Sequence, residues 1–349
     1  MNDRSLPVFA TAPLRISFVG GGTDFPHWFD EHGGAVLSST IDHFVRVTIT
    51  PRSDRQVRVR SLDLGHLVEY HLDSGPEYDG VMDLVKAAIA RVGAPVGIDV
   101  DVESEAPAGS GLGGSSTLVT AVVAGLAMLG EQRMTTDELA TLSYTIERDD
   151  LGISGGWQDQ YAAAYGGFNL LEFSRGGVLV TPVDLEPARL AELASNLLLC
   201  YSGGVRRNVG LIDRQIELHR QGREDTLLGM KELQAMAYAM AEAAGRGDLN
   251  RLGSMLREAF EAKKRMNPHV TDDTPIEAML DAARASGALG GKICGAGGGG
   301  YLLVFCPAGR QAEVRATLER LGGQFARFSF YPEGVRARRG DRTWAPAPG

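Results

Sequence analysis

The sequence has few cysteines, no long apolar run and no excess of basic residues. Its 349 residues include three cysteines, Cys200, Cys294 and Cys306, and no two of them form a Cys-x-x-Cys pair. This odd, scattered set predicts reduced thiols rather than a disulfide framework, and it offers no metal-ligand pattern. No stretch reaches the roughly 18 apolar residues of a membrane-spanning helix, and the first residues lack the apolar core of a secretion signal. We therefore expect a cytoplasmic protein.

Acidic residues outnumber basic ones by 44 to 35, so the formal net charge is −9. This balance argues against non-specific binding to nucleic acid or to an anionic membrane, although a local basic cluster can still hold a phosphorylated small molecule. The apolar fraction of 44% and the charged fraction of 23% are those of a globular protein. We expect small-molecule ligands, and self-association into a homo-oligomer stays open.

Strand and helix patterns follow one another in the order typical of an α+β protein. The first hundred residues are mostly strand-like and close with the alternating stretch GIDVDVES at 97–104. A buried helix is predicted at 115–129, and helices dominate 207–286. At this chain length we expect two domains, divided as 1–195 and 196–349.

Local signals set two further elements. Thr135 followed by Glu138 forms a capping box, which predicts a helix that runs from there to about Gly152. Near the end of the chain we expect a helix at about 309–321 and a strand at 325–331.

Residues 107–117, PAGSGLGGSST, combine glycines and hydroxyl side chains just before an apolar helix pattern. Such a backbone lets amide N–H groups converge on an anion, and the helix N-terminus adds partial positive charge. The loop contains Gly-x-Gly-x-x-Gly, but it does not leave its strand directly, unlike a dinucleotide-binding loop. It also has the glycine spacing of a Walker A loop, with Ser115 where that motif needs lysine. A plain glycine turn with a serine helix cap is the alternative.

Two carboxylates stand in the stretch ERDDLGISGGWQDQ. Glu147 lies late in the helix capped at Thr135, and Asp159 follows a Gly-Gly turn between two glutamines. A tight helix–turn–helix can bring both to one cleft. The alternative for Glu147 is a solvated acid at a helix end, like its neighbours Asp149 and Asp150.

Three motifs occur in the order found in the GHMP small-molecule kinases, and the sequence resembles that family. They are APLRISFVGGGTDFP at 12–26, PAGSGLGGSS at 107–116 and KICGAGGGGYLLVF at 292–305. The resemblance implies an N-terminal domain like ribosomal protein S5 domain 2 and a ferredoxin-like C-terminal domain, with ATP and a sugar in the cleft between them. It implies that ATP phosphates bind the loop residues Gly109, Ser110, Gly111, Leu112, Gly113, Gly114, Ser115 and Ser116, close to the glycines at 295–300.

The resemblance also implies roles in the reaction. Alignment on Gly-Leu-Gly puts Ser115 at the Mg²⁺-binding serine, with Ser116 as the weaker candidate, and Glu147 would complete the metal site. The stretch GISGGWQDQYAAAYGG resembles that of galactokinases, which implies that Asp159 accepts the proton of the sugar hydroxyl. Arg15 would keep Asp159 in its charged form. The alternative for Arg15 is a surface position on a strand.

Further residues resemble the D-glycero-D-manno-heptose 7-phosphate kinases, which phosphorylate the anomeric O1 on the route to nucleotide-activated heptose for capsule or lipopolysaccharide. The similar segments are GGGTD, GGWQDQYAAAYGGFN, YSGGVRR and EAKKRMNP. The implied sugar-binding residues are Gly21, Gly22, Thr23, Asp24, Gly156, Asp159, Gly297 and Gly298, while Arg206, Arg207 and Lys264 would hold the 7-phosphate.

Several alternatives stay open at this stage. Asp24 could form an Asx turn or a helix cap instead of binding sugar hydroxyls, and the basic residues could belong to a solvated face. The acceptor could be an unphosphorylated sugar such as fucose, galactose or mannose. A further alternative belongs to another functional class: a regulator that binds sugar and ATP without catalysis.

Overall fold

The computed structural model describes residues 5–203, 210–272 and 274–340. Within these ranges the chain forms two β-sheets packed with helices, which confirms the α+β class. No described helix combines the length and the apolar character needed to cross a lipid bilayer.

The larger sheet has eight strands in the described part of the chain. Its main path runs in the order β12-β1-β2-β5-β3-β4, and β6 pairs with β2 and carries β7. All pairs are antiparallel except β3 with β5. The strands are β1 (Val8–Val19), β2 (Gly34–Pro51), β3 (Gln56–Ser61), β4 (Leu67–His71), β5 (Ile98–Ser104), β6 (Phe168–Ser174), β7 (Gly177–Pro182) and β12 (Arg336–Arg339).

The smaller sheet has four antiparallel strands in the order β11-β8-β10-β9. They are β8 (Leu197–Tyr201), β9 (Gly290–Ile293), β10 (Tyr301–Phe305) and β11 (Gln324–Ala326). The α-helices of the described ranges are α1 (Pro26–His32), α2 (Asp83–Val92), α3 (Gly114–Leu129), α4 (Thr136–Thr145), α5 (Gln158–Tyr165), α6 (Pro187–Asn196), α7 (Leu211–Arg220), α8 (Glu224–Gly245), α9 (Leu249–Met266), α10 (Ile276–Ala285) and α11 (Gln311–Arg320).

Strand β1 lies inside the larger sheet, between β12 and β2, and every residue from Ala12 to Val19 is buried. Its sequence, APLRISFV, is apolar except for Arg15 and Ser17. Side chains two positions apart share one face of a strand, so these two polar residues point the same way. A buried charge needs a partner, which marks this face of β1 as the place to look for a site.

Helix α3 is the central helix against this sheet. Twelve of its sixteen residues are buried, and it packs on β1, β2, β12, α2 and α4. Enclosure on so many sides explains why its sequence is apolar all round rather than on one stripe. The helix begins at Gly114, as the pattern at 115–129 predicts, so its N-terminus is fixed beside the glycine loop.

The capping box at Thr135 is confirmed. Thr135 accepts from the Glu138 backbone N–H, and the Glu138 carboxylate accepts from the Thr135 N–H. The α-helix ends at Thr145 instead of near Gly152, and a single π-helical turn, Ile146–Asp150, continues it. Such turns are frequent at functional sites, and this one carries Glu147.

The end of the chain departs from the expected strand at 325–331. Strand β11 stops at Ala326, after which the chain leaves the smaller sheet. Phe330 then forms a bridge with Ile41, and β12 pairs with β1 of the larger sheet. The pairing partner, not the local pattern, decides where this strand ends. The division at residues 195 and 196 stays a prediction, and the last described strand lies on the larger sheet.

This returning segment crosses the end of α5, where two glycines allow close contact. A Cβ on Gly334 would lie 1.9 Å from the Ala164 carbonyl oxygen, and one on Gly166 would lie 2.0 Å from the Glu333 carbonyl carbon. The Val335 N–H donates to the Ala163 oxygen at 2.9 Å. The C-terminal segment therefore packs against α5, the helix that begins at Gln158 and carries Asp159 in its first turn.

We predict that Gly334→Ala destabilises the protein because the added methyl group meets backbone rather than a movable side chain. Overpacking of this kind typically costs about 1–3 kcal/mol, read from the midpoint of urea unfolding. Gly245→Ala is the matched control, since a Cβ there meets nothing within 4 Å and alanine favours a helix. Equal midpoints for the two variants would contradict the proposed contact.

Candidate active site

A cleft open to solvent lies between the two sheets and contains about 710 Å³ of unfilled space. Its walls come from β1 and the turn after it, from α5, α7 and α9, and from β9 and the segment that follows. The predicted site residues that line it are Arg15, Gly21, Gly22, Asp24, Gly156 and Asp159.

Arg15 and Asp159 form an ion pair at this cleft. The Arg15 Nε and Nη2 atoms lie 2.7 and 2.6 Å from the same oxygen of Asp159, Oδ1. Arg15 is 3% exposed, so it is not a surface arginine, whereas the Asp159 side chain is 23% exposed. The partly open carboxylate can therefore reach a ligand while the buried guanidinium holds it in place.

The same arginine holds the glycine loop. Its Nη1 donates to the Gly111 carbonyl oxygen at 2.7 Å, and its backbone N–H donates to the Leu112 oxygen at 3.0 Å. Gly109, Gly111 and Gly113 adopt φ values of 75°, 83° and 81°, which favour glycine. No side chain caps the helix after the loop, contrary to the serine-cap alternative, so its first amides are left to bind an anion.

The C-terminal glycine segment packs directly on this loop, as the motifs predict. The Tyr301 N–H donates to the Ser110 oxygen at 3.0 Å. A Cβ on Gly111 would lie 2.6 Å from the Cys294 oxygen, and one on Gly295 would lie 2.7 Å from the Gly111 Cα. Both glycines are therefore required for two backbones to approach this closely.

Glu147 is 1% exposed, which excludes the solvated helix-end alternative. Gln160 donates through Nε2 to Glu147 Oε2 at 2.5 Å and to Ser116 Oγ at 3.0 Å. Burial raises the pKa of Glu147 above its ordinary value, and the positive charge of Arg148 opposes that shift. A buried carboxylate beside a hydroxyl supplies the hard oxygen atoms that Mg²⁺ prefers.

The two serines at the start of α3 differ in their surroundings. Ser116 is buried and shares Gln160 with Glu147, whereas Ser115 is exposed. Successive residues of an α-helix point about 100° apart, so a one-residue difference decides which hydroxyl faces the carboxylate. Ser116 is therefore the serine that lies beside Glu147 through Gln160, and the assignment of the metal to Ser115 stays a prediction.

Asp24 is fully buried, and its carboxylate already has protein partners. Oδ1 accepts from the Gly22 N–H at 2.8 Å, and Oδ2 accepts from the N–H and the side-chain amide of Gln158, both at 3.1 Å. Asp24 therefore joins the glycine turn to Gln158, the first residue of α5, and its contact with sugar hydroxyls stays a prediction. Burial raises the pKa of Asp24. A Cβ on Gly156 would lie 2.0 Å from Oδ2, which explains the glycine there.

Thr23 also has a role within the protein. It is buried, and its hydroxyl donates to the Gly20 or Ala35 carbonyl oxygens at 2.8 and 3.0 Å. The predicted sugar contact of Thr23 is therefore corrected: the residue fixes the turn, while Gly21 and Gly22 face the cleft.

The predicted phosphate-binding lysine lies elsewhere. Lys264 sits on another face of α9, 3.1 Å from Glu261 and 3.6 Å from Glu277. Its neighbour Lys263 lines the cleft and donates to the Gly295 oxygen at 2.8 Å. Lys264 thus points away from the cleft, and its contact with the 7-phosphate stays a prediction that this placement does not favour. Arg206 and Arg207 lie outside the described residues.

The predicted sugar contacts at Gly297 and Gly298 are also corrected. Both glycines are buried against Val270, whose carbonyl oxygen accepts from the Gly298 N–H at 2.9 Å. Gly295 and Ala296 line the cleft instead.

Sequence reasoning missed several polar residues of the cleft, among them Lys292, Gln158 and Gln215. Lys292 is buried in β9 and donates to the Ser17 oxygen at 2.6 Å. Burial lowers the pKa of this lysine to about 8. A lysine inside a short apolar strand was the available signal, since a buried charge is rare unless it is used.

Comparison with known proteins agrees with this arrangement. Residues 80–167 match the model described as GHMP kinases N terminal domain, and residues 240–324 match GHMP kinases C terminal. The D-glycero-alpha-D-manno-heptose 7-phosphate kinase of Campylobacter jejuni is 34% identical over 336 residues, 94% of this chain and 97% of that protein. A D-glycero-D-manno-heptose 1-phosphate kinase from Bacteroides thetaiotaomicron has a TM-score of 0.78 and 30% identity, covering 95% of this chain and 98% of its own.

A galactokinase from Lactococcus lactis, crystallised with galactose, shares the fold, with a TM-score of 0.78 at 19% identity over 95% of each chain. The two family domains occur in order, and the Campylobacter relative aligns over nearly its full length. On these grounds, and as its three glycine-rich motifs predict, the chain belongs to the GHMP kinases.

Proposed function

We propose that the protein transfers the γ-phosphate of ATP to the anomeric O1 of D-glycero-D-manno-heptose 7-phosphate, which gives the 1,7-bisphosphate. Similarity to the two heptose phosphate kinases supports this acceptor. Kinase chemistry is supported by one observation above all. The carboxylate of Asp159 lies in the cleft, and the guanidinium that holds it also holds Gly111 of the anion-binding loop.

In the proposed reaction, Asp159 accepts the proton of the O1 hydroxyl. O1 forms a bond to the γ-phosphorus as the bond from that phosphorus to the β,γ-bridging oxygen breaks, and ADP leaves. Phosphoryl transfer depends mainly on positioning and on charge stabilisation. Arg15 serves both needs, because it orients the base and places positive charge beside the loop.

Mg²⁺ fits the donor atoms at the start of α3. Glu147 and Ser116 would hold it, since this ion is typically bound by one or two carboxylates together with phosphate oxygens and water. When bound, Mg²⁺ neutralises charge on the β- and γ-phosphates. The raised pKa of Glu147 agrees with a buried carboxylate that gains from a nearby cation.

The acceptor is tested by a phosphate-transfer screen. We expect turnover of D-glycero-D-manno-heptose 7-phosphate with a kcat/KM far above those of free mannose, galactose and fucose. NMR of the product would place the new ester at C1. This matters because the names of the two heptose kinases put the phosphate at position 7 in one and at position 1 in the other. Preferential turnover of a free sugar would reject the phosphorylated acceptor.

A pair of neighbouring variants tests where the acceptor's own phosphate is recognised. Lys263→Met should lower kcat/KM for the heptose phosphate more than for any free sugar, since Lys263 lines the cleft. Lys264→Met should leave both values unchanged because its partners, Glu261 and Glu277, lie on another surface.

For the base, we predict that Asp159→Asn lowers kcat by about 10²–10⁴-fold, the usual contribution of general-base assistance. ATP affinity should be unchanged, because the loop amides do not depend on this carboxylate. Asp149→Asn, a change at an exposed acid of the same segment, is the control and should keep wild-type kcat. A near-normal kcat for Asp159→Asn would remove the base from the mechanism.

The position of Ser116 beside Glu147 gives a prediction about the metal. Ser116→Ala should raise the Mg²⁺ concentration needed for half-maximal rate by about tenfold, the lower end of the usual effect of a residue around a metal. Ser115→Ala should change it by less than about twofold, because that side chain is exposed and apart from Glu147. The opposite order of effects would return the metal site to Ser115.

A further inference from the structure

Two glutamine side chains cover the glycine turn between β1 and α1, and both line the cleft. A Cβ on Gly22 would lie 2.8 Å from Gln215 Nε2, and one on the adjacent Gly21 would lie 3.8 Å from Gln158 Oε1. Consecutive Cα atoms are about 3.8 Å apart, so the two amides face neighbouring points of one backbone turn.

Each amide has one buried atom without a hydrogen-bond partner among the described residues. These atoms are Gln215 Nε2 and Gln158 Oε1. Gln215 as a whole is only 6% exposed. Leaving a buried polar atom unpaired usually costs about 1–3 kcal/mol, so two such atoms in one cleft wall need a reason.

The orientation of the Gln158 amide is fixed by its other half. Its Nε2 donates to the Asp24 carboxylate at 3.1 Å, and that oxygen also accepts the Gln158 backbone N–H. Exchanging the nitrogen and oxygen would place two acceptors together, which is unfavourable. Gln158 Oε1 is therefore an acceptor, and its ligand must donate a hydrogen, which a phosphate dianion does not.

No hydrogen bond within the described residues fixes the orientation of the Gln215 amide, yet this residue also favours a hydroxyl as its ligand. Whichever amide atom faces Gly22, a hydroxyl can pair with it, because a hydroxyl both donates and accepts. Met266 lies on the other side of the same spot, 2.8 Å from the position of a Gly22 Cβ. A hydroxyl beside a carbon-bound hydrogen suits such a boundary between polar and apolar groups.

We propose that Gln215 and Gln158 are specificity-determining residues that bind ring hydroxyls of the acceptor sugar over Gly21 and Gly22. The inference rests on the proposed function and deepens it, since it identifies which end of the sugar faces this wall. The hydroxyl-bearing face lies against the two amides. The phosphorylated end lies away from them, because the Gln158 oxygen repels an anion. Recognition passes through these glutamines, while Asp24 supports one of them.

The test is Gln215→Met, which keeps the length of the side chain and removes its polar atoms. KM for D-glycero-D-manno-heptose 7-phosphate should rise about tenfold, as expected for one lost buried hydrogen bond. KM for ATP should stay within twofold. Gln234→Met is the control: the amide of this glutamine is bonded to Trp28 and His32 and lies outside the cleft, so the KM of this variant for the sugar should not change.

A panel of 2-, 3- and 4-deoxy analogues of the heptose phosphate separates binding from a structural role. Wild-type enzyme should lose affinity for the analogues whose missing hydroxyl contacts Gln215 or Gln158. Gln215→Met should become insensitive at one position and keep its sensitivity at the other. If every analogue keeps its wild-type penalty in Gln215→Met, the amide has no hydroxyl partner and the inference is overturned. Gln215→Ala, checked for folding by thermal unfolding, repeats the test should the methionine variant be unstable.

The failure of this inference can be told from the failure of the proposed function. An unchanged sugar KM in Gln215→Met, with an active wild-type enzyme, would overturn only the role of the glutamines. A wild-type protein that neither phosphorylates the heptose phosphate nor binds it, by saturation-transfer NMR, would overturn both.

Discussion

The guanidinium of Arg15 joins three parts of the molecule that are far apart in sequence. From the centre of β1 it bonds the carboxylate of Asp159, at the start of α5, and the carbonyl of Gly111, in the loop before α3. A buried cation that loses its charged partner strongly destabilises the folded protein. Arg15 therefore links the glycine loop and the start of α5 through one buried side chain.

Backbone contacts provide the second constraint. The loop at Gly111 touches the chain at Cys294 and Gly295 so closely that neither glycine could carry a Cβ. Here the two sheets meet through main chain rather than through side chains. Contacts of this kind leave little room for adjustment, which gives the cleft between the sheets a defined width. Glycine in these motifs thus allows the close junction of the two sheets, in addition to its proposed role in binding an anion.

Local patterns were enough to predict the capping box at Thr135 and the start of α3, while the resemblance to the GHMP kinases implied that Arg15 lies beside Asp159. Local patterns do not determine which direction a residue faces around its helix axis, or which distant strand a given strand pairs with. Lys264 faces away from the cleft that its neighbour Lys263 lines. Ser115 is exposed, whereas its neighbour Ser116 is buried and shares Gln160 with Glu147. A helix turns about 100° per residue, and no local signal fixes its phase to that accuracy. Strand β12 was missed because its partner, β1, lies more than three hundred residues away.

The charges of the cleft are best explained by ligand binding rather than by stability. Lys292 is buried and bonds a carbonyl oxygen, with no carboxylate at ion-pair distance within the described ranges, and its pKa of about 8 reports how poorly the protein alone supports its charge. A lysine in such a place weakens the fold near neutral pH, where it is charged in both the folded and the unfolded state. Phosphoryl groups would supply the missing negative charge. A buried lysine with a lowered pKa in this cleft agrees with the proposed binding of phosphorylated ligands there.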